Sequence, residues 1–510
     1  MPETPEVGPF DVLVYGATAG GVIAAIAAAT SGARVILIEP GRHVGGMVSG
    51  GLGWTDRGEE PVIGGLAGAF YDRVGAHYGV DPWSIRGPEP HVAERIFRIW
   101  LGEARVTTVF GTTLADVDRD GTSIRGIVTG SGEVIGARVF IDASYEGDLL
   151  ARANVSYAVG RESVSLHGER WAGRQPIRPD QHNFPVAISP FGDDGALLPF
   201  IHDQPMVVEG EGDGGVQSYC FRLCLTDQPA NRVPFPRPDG YDPGRYEVLR
   251  RYLEAAGPEL RADRLMSLRG RLPNDKCDAN SIGPFSTNLP DGSSWAYPEA
   301  NDQQRREIWE RHLHYTQGLL YFLTNDPGVP PAIRTDMQRW GPCADEFTDS
   351  GHWPHQLYVR DARRMCGEYL LTQHDLEHAR DQYDAIGMGS YNIDIREVQR
   401  TWVEVPRYPR MVPEVFNEGY LSVPVPPYSI PYRALLPRYD ECVNLLVPVC
   451  LSASHVAFAS VRMESQFMIL AHAAGLAAAS AAARRVAVHH VDIADLQRRL
   501  IDQGQILTRA

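Results

Sequence analysis

The hydrophobic pattern is strongest at the two ends of the chain. Val12-Leu13-Val14 is a short continuous apolar run of the kind a parallel sheet buries on both faces. It stops at Gly16, an alanine-rich helical stretch follows, and Arg34-Val35-Ile36-Leu37-Ile38 reads as a second buried strand. From Val106 to Ser144 apolar and polar residues alternate between Asp-Gly and Ser-Gly turns, which predicts a small antiparallel meander. Its last strand, Val139 to Ile141, runs into a reversal at Asp142 to Asp148. Farther on, Val216 to Leu225 alternates as a strand, while Asp302 to Phe322 and Ala362 to Ala379 are amphipathic and helical. Pro424, Pro426, Pro427 and Pro431 return the chain to the first domain. Val443 to Val449 then reads as one more buried strand, and Val461 to Val488 as a long helix whose alanines allow close packing. The fold class predicted is α/β, a Rossmann-like domain interrupted by an inserted α+β part.

The order strand, glycine turn, helix, strand, acid is half of a dinucleotide-binding fold. Gly16 makes the tight turn, and Gly20 and Gly21 let backbone approach a pyrophosphate at a helix N-terminus. Thr18, followed by Ala19, stands where G-x-G-x-x-G has its middle glycine. Glu39 lies 23 residues after Gly16, close to the ~20 expected of an acid that binds an adenosine ribose. Its charge would repel a 2′-phosphate, which disfavours NADP. Beyond it, Pro40-Gly41-Arg42-His43 leads to Gly45-Gly46-Met47 and on through Gly50, Gly51 and Gly53 to Asp56. A glycine pair just past the ribose acid suits the pyrophosphate side of FAD. His43 beside that pair raises covalent attachment to the flavin as one reading. No Cys-x4-Cys follows, so a disulfide-reductase centre is excluded. Gly210, Gly212, Gly214 and Gly215 precede a strand and not a helix, so no nicotinamide domain is expected.

Composition narrows the partners. The 510 residues are 43% hydrophobic and 22% charged with a formal charge of −16, a soluble globular balance whose long-range field repels nucleic acid and anionic membrane. Lysine occurs once, at Lys276, which argues against Schiff-base chemistry elsewhere. Seven scattered cysteines suit reduced thiols, and no metal is implied. The acidic, proline-broken N-terminus shows no secretory signal, so a cytoplasmic location is expected.

Several stretches together resemble the glutathione-reductase-like FAD superfamily, and more narrowly the family of FAD-dependent oxidoreductases, some members of which carry a xanthan-lyase label. They are Gly16 to Gly21, His43 to Met47, Tyr219 to Thr226, Leu357 to Met365, Gly387 to Tyr391 and Asn444 to Val449. The resemblance implies FAD, a discontinuous FAD-binding domain (8–160 and 431–488), a substrate domain (161–430) and a C-terminal tail (489–510). It places Val109, Ala143, Ser144 and Gly147 near the cofactor, with Cys450 and Ser454 in the closing loop. The final helix would point its N-terminus at the flavin, bringing Arg462, Met463 and Glu464. His455 is expected as general base, and Asn392 on a polar strand face with Asp394 and Arg396. Tyr432 and Arg433 arrive on the proline-rich return and could flank the flavin. Arg360, Arg363 and Arg364 read as an anion clamp or as partners of Asp361 and Glu368 on one helix, and the second is preferred. The activity expected is removal of hydride from a C–H bond beside an alcohol or amine of a small polar molecule, with electrons leaving to oxygen, a quinone or a separate carrier. An NADH-driven monooxygenase and a non-catalytic FAD scaffold are the alternatives, and self-association is left open. No residue pattern supports a lyase.

Overall fold

The computed structural model describes residues 10–268 and 270–509. The N-terminal stretch read for a secretory signal, and the start of the first predicted segment, lie outside them. Strand β1 (Phe10–Tyr15) leads into helix α1 (Ala19–Thr30) and strand β2 (Val35–Glu39), as the pattern predicts. Helices α2 (Gly65–Tyr78) and α3 (Pro90–Glu103) follow. Strand β3 (Thr107–Phe110) comes next, then β4 (Leu114–Asp120), β5 (Ser123–Thr129) and β6 (Val134–Asp142). The predicted meander loses its first strand: β3 pairs in parallel with β2, and only β4, β5 and β6 are antiparallel neighbours. β6 serves both halves of the sheet. Its first residues pair with β5, while its apolar end, Val139 to Asp142, lies parallel to β1.

The inserted part contains an antiparallel pair, β7 (Leu223–Thr226) and β8 (Lys276–Ala279), and the long helix α4 (Asp302–Asn325). Asn301 starts α4 with a capping box completed by Gln304. A short strand, β9 (Ile393–Ile395), precedes a ribbon of β10 (Gln399–Arg407) and β11 (Arg410–Glu418). Two sequence expectations fail here. The strand predicted from Val216 begins at Leu223. Ala362 to Ala379 is mostly irregular, with a two-residue strand at Arg364–Met365 and a helix only at Gln373–His378; its arginines reach partners on other segments: Arg363 pairs with Asp148 and Glu299, Arg364 with Glu162.

The chain then rejoins the first sheet through β12 (Leu445–Leu446), parallel to β6. The helix predicted from Val461 is divided into α5 (His455–Val461) and α6 (Glu464–Arg484), with Met463 extended between them, and α7 (Ile493–Asp502) ends the fold. Arg462 therefore caps the C-terminus of α5 and does not sit in the first turn of the final helix. α6 packs on α1 through small residues. A Cβ on Gly475 would lie 2.3 Å from the Ala24 carbonyl, a contact no side chain permits. Among the described residues α6 is the one helix long and apolar enough to cross a membrane, and it is buried in the protein core.

Candidate functional site

The C-terminal ends of β1 and β2 and the N-terminus of α1 meet at a crevice, where open α/β sheets bind ligands. Gly16 has φ +90°, and a Cβ there would come within 2.8 Å of the Ser144 backbone nitrogen. Glycine thus lets two strand ends touch. Thr18, in the place of a middle glycine, caps α1: its Oγ1 accepts from the Gly21 N–H at 3.1 Å and donates to the Ala143 carbonyl at 2.8 Å. The Ala17 carbonyl accepts from the Gly45 N–H at 2.7 Å, which holds the glycine loop against the same turn. Glu39 accepts from the Ala17 and Gly41 N–H groups at 2.8 and 2.7 Å. Burial raises its pKa, and those two N–H groups offset part of the rise.

Two adjoining cavities of about 310 and 220 Å³ occupy the crevice and share Thr18, Glu39, His355 and Gln356. Gly41, Arg42, His43 and Gly46 line the larger, and Gly16, Pro40, Ser144 and Tyr145 the smaller. Both ring nitrogens of His355 are buried without partners, and burial pushes its pKa down to about 4, so the ring is neutral. His43 stacks on it at 3.8 Å. The Glu94 hydrogen bond raises the pKa of His43, whose Nδ1 is 3.0 Å from Glu94 and Nε2 3.2 Å from Asp349. Both nitrogens thus face carboxylates in the ligand-free arrangement.

This donor set fits FAD. An acid stands for the ribose, a capped helix N-terminus with Arg42 and His43 for the pyrophosphate, and unpartnered ring nitrogens for further polar atoms.

A third cavity of about 230 Å³ is walled entirely by polar or phenolic side chains. Arg222, Arg360, Arg396 and Arg462 face it together with Asp56, Asp394, Tyr358, Tyr391, Tyr420, Asn280 and Ser422. Three chain segments connect it to the cofactor crevice. The glycine loop lines the crevice at Gly41 to Gly46 and the polar cavity at Asp56. The 356–358 strip contributes Gln356 and Leu357 to one and Tyr358 to the other. At the junction of α5 and α6, Arg462 faces the polar cavity, while Glu464 accepts from Tyr145, which lines the crevice, at 2.6 Å.

The remaining predicted residues divide between this region and elsewhere. The Met47 N–H donates to the Tyr145 hydroxyl at 2.9 Å. Cys450 Sγ lies 3.4 Å from the Ser144 carbonyl, and the Gly147 N–H donates to Ser144 Oγ at 3.0 Å. Ser454 caps α5 and donates to Glu169. His455 is buried with Nδ1 2.6 Å from Glu162 and Nε2 unpartnered; it lines none of the three cavities. Arg462 pairs with Asp394 and Tyr358, not with Glu464 as its place in the sequence suggests. Val109 belongs to β3 and is partly buried against the core. Tyr432 donates to the Val488 carbonyl and Arg433 pairs with Asp384, so both are structural here. Asn392 reaches toward Ser422 but does not line the cavity, whereas Tyr391, expected on the opposite face, does. Sequence reading gave no role to Asp56, at the end of the glycine loop, or to Tyr145, His355 and Tyr358, which are brought to these cavities only by folding. Glu89, His91 and Glu346 cluster like metal ligands, but Lys276 Nζ stands 2.6 Å from Glu89 and 2.7 Å from Glu346, neutralising them as a cation would.

A family described as FAD dependent oxidoreductase matches residues 11–500. The chain belongs to this family. FAD is accordingly its cofactor. No curated protein matches it. Solved structures similar in part include Thermovibrio ammonificans THI4, 19% identical over 30% of this chain and 66% of that one, with a TM-score of 0.24. L-proline dehydrogenase from P. horikoshii is 15% identical over 31% and 59%, with a TM-score of 0.25. L-amino acid deaminase from Proteus vulgaris is 16% identical over 31% and 53%, with a TM-score of 0.24. The chain spans less than two thirds of the length of each. The family match over nearly the whole chain carries the assignment.

Proposed function

We propose that this FAD dependent oxidoreductase is a dehydrogenase or oxidase that removes hydride from a C–H bond beside an alcohol or amine of a small polar molecule. The observation that supports this is the all-polar cavity sharing three chain segments with the cofactor crevice. FAD, when bound, supplies the two-electron acceptor. The chain's residues do the rest. Arg462 donates to the Tyr358 hydroxyl at 2.9 Å, and both side chains face the polar cavity. Arg462 is buried and brings positive charge there, the sign that favours an electron-rich neighbour. The cavity is smaller than the ~300–1,000 Å³ of drug-sized sites, which suits a small metabolite and disfavours a polysaccharide strand. Electrons would leave to oxygen, a quinone or a separate carrier, and the location would be cytoplasmic.

Anaerobic mixing tests the reading. Alcohols, amines or sugars that fit the cavity are expected to bleach the oxidised flavin, with NADH inert. Rapid bleaching by NADH, and none by any organic substrate, would replace the proposal with an NADH-driven monooxygenase.

A further inference from the structure

Charge accounting in the polar cavity narrows the substrate. Three of its four guanidiniums already hold a carboxylate. Arg222 pairs with Asp278 at 2.6 Å, Arg462 with Asp394 at 3.0 Å and Arg396 with Glu397 at 3.6 Å. Arg360 differs. Its hydrogen bonds go to neutral acceptors, the Ser218 carbonyl, Asn288 Oδ1 at 3.0 Å and Cys220 Sγ at 3.3 Å, and its guanidinium lies 4.5 Å from the Tyr358 ring. Among the described residues it makes no ion pair, so its fixed positive charge faces the cavity with no carboxylate bonded to it.

Asp56 is the converse. It lines the same cavity beside Tyr391 and, among the described residues, makes no ion pair. Burial raises its pKa, with Arg222 and Arg462 offsetting part of the rise. A carboxylate so placed is a better proton acceptor than one locked to an arginine.

We infer that the cavity binds the anion of a small hydroxy acid, with Arg360 taking its carboxylate and Asp56 accepting the proton of the hydroxyl that is oxidised. This rests on the dehydrogenase or oxidase reading above and names its substrate class. In the step, the O–H and C–H bonds break and a carbonyl π bond forms. The proton would pass to Asp56, and the hydrogen on carbon would leave with two electrons, for which FAD, when bound, would supply the acceptor. Tyrosine hydroxyls, Asn280 and Ser422 supply neutral hydrogen bonds for further hydroxyl groups. The unpaired Arg360 guanidinium on the wall disfavours the ammonium of an amino acid beside it.

Calorimetric titration of the FAD-loaded protein with oxalate and with its uncharged diamide, oxamide, tests the anion site without turnover. Oxalate is expected to bind about tenfold or more tighter, and Arg360→Gln to lose about that factor, as for a charge-assisted hydrogen bond. Equal affinities in the wild-type protein overturn the anion site, whether or not the variant folds. Anaerobic mixing with glycolate, lactate and glycerate is then expected to bleach the flavin. Asp56→Asn is expected to slow that bleaching by about 10²–10⁴-fold without weakening oxalate binding. Unchanged bleaching in that variant removes Asp56 as proton acceptor. If uncharged diols or amino acids bleach the flavin and hydroxy acids do not, this inference falls while the dehydrogenase reading stands. If oxalate binding depends on Arg360 but no compound bleaches the flavin, the anion site stands and the oxidation step falls with the broader reading.

Discussion

At Glu464 a single carboxyl shows what the closed core demands of its polar groups. Tyr145 donates to Oε1, Oε2 has no partner, and the side chain is 3% exposed. Burial pushes its pKa up to about 8, with the Tyr145 bond offsetting part of the rise. The group is thus protonated at neutral pH in the folded protein and ionised in the unfolded chain. Its stabilising contribution is complete below the unfolded value near ~4.3 and is lost as pH rises through about 8. Glu464→Gln keeps the shape and an acceptor for Tyr145 while removing the titration. In denaturant melts of the FAD-free protein, the variant should gain on the wild type as pH climbs from about 5 to about 8, at up to ~1.4 kcal/mol per unit. Asp142 and Glu146, raised to about 6 and 7, act equally in both proteins and cancel. A difference that does not change with pH would show that Glu464 is ionised in the fold.

Among the elements, the contact of α1 with α6 decides whether the crevice forms, because α1 must lie against β1 with its N-terminus aimed at the cofactor. Both helices use alanine and glycine to approach closely. Gly475→Ala would put a Cβ 2.3 Å from the Ala24 carbonyl and 2.7 Å from Ala27 Cβ. We expect a loss of ~1–3 kcal/mol by overpacking, seen as a lower denaturation midpoint at unchanged slope, together with weaker FAD binding; an unchanged midpoint would show that the helices can separate freely. This part of the fold was legible in the sequence, since Gly16, the alanine run and Glu39 act through local geometry that neighbours along the chain specify. The loop at Arg462 and Met463 was not. No glycine or proline marks it, and the break is seen only once Arg462 is tied to Tyr358 and Asp394 from the inserted part. For the same reason Arg360 read as one of a helical trio, although each of the three arginines has partners on a different segment. The polar cavity draws on residues from 56 to 462. No window of sequence contains it.

Over the whole molecule, the sheet and the inserted part share one apolar core, which takes in Val14 and Ile26 of the first segment, Tyr246 and Leu319 of the insertion and Leu470 of the return. β12 and α6, from the last quarter of the chain, complete the sheet and cover the helix that opens it. Such a body has few routes to partial unfolding, because loosening the insertion exposes apolar surface of the FAD-binding sheet as well. FAD bound at the crevice should therefore protect all of it. A ligand present at 100 times its dissociation constant adds about 2.7 kcal/mol to the state that binds it, and here that state is the entire fold. Scanning calorimetry should show one transition that moves upward as a unit when FAD is added to the FAD-free protein. Two transitions, of which FAD moves only the one reported by probes in the first sheet, would mean that residues 161–430 fold as a separate domain and that the shared core does not couple them.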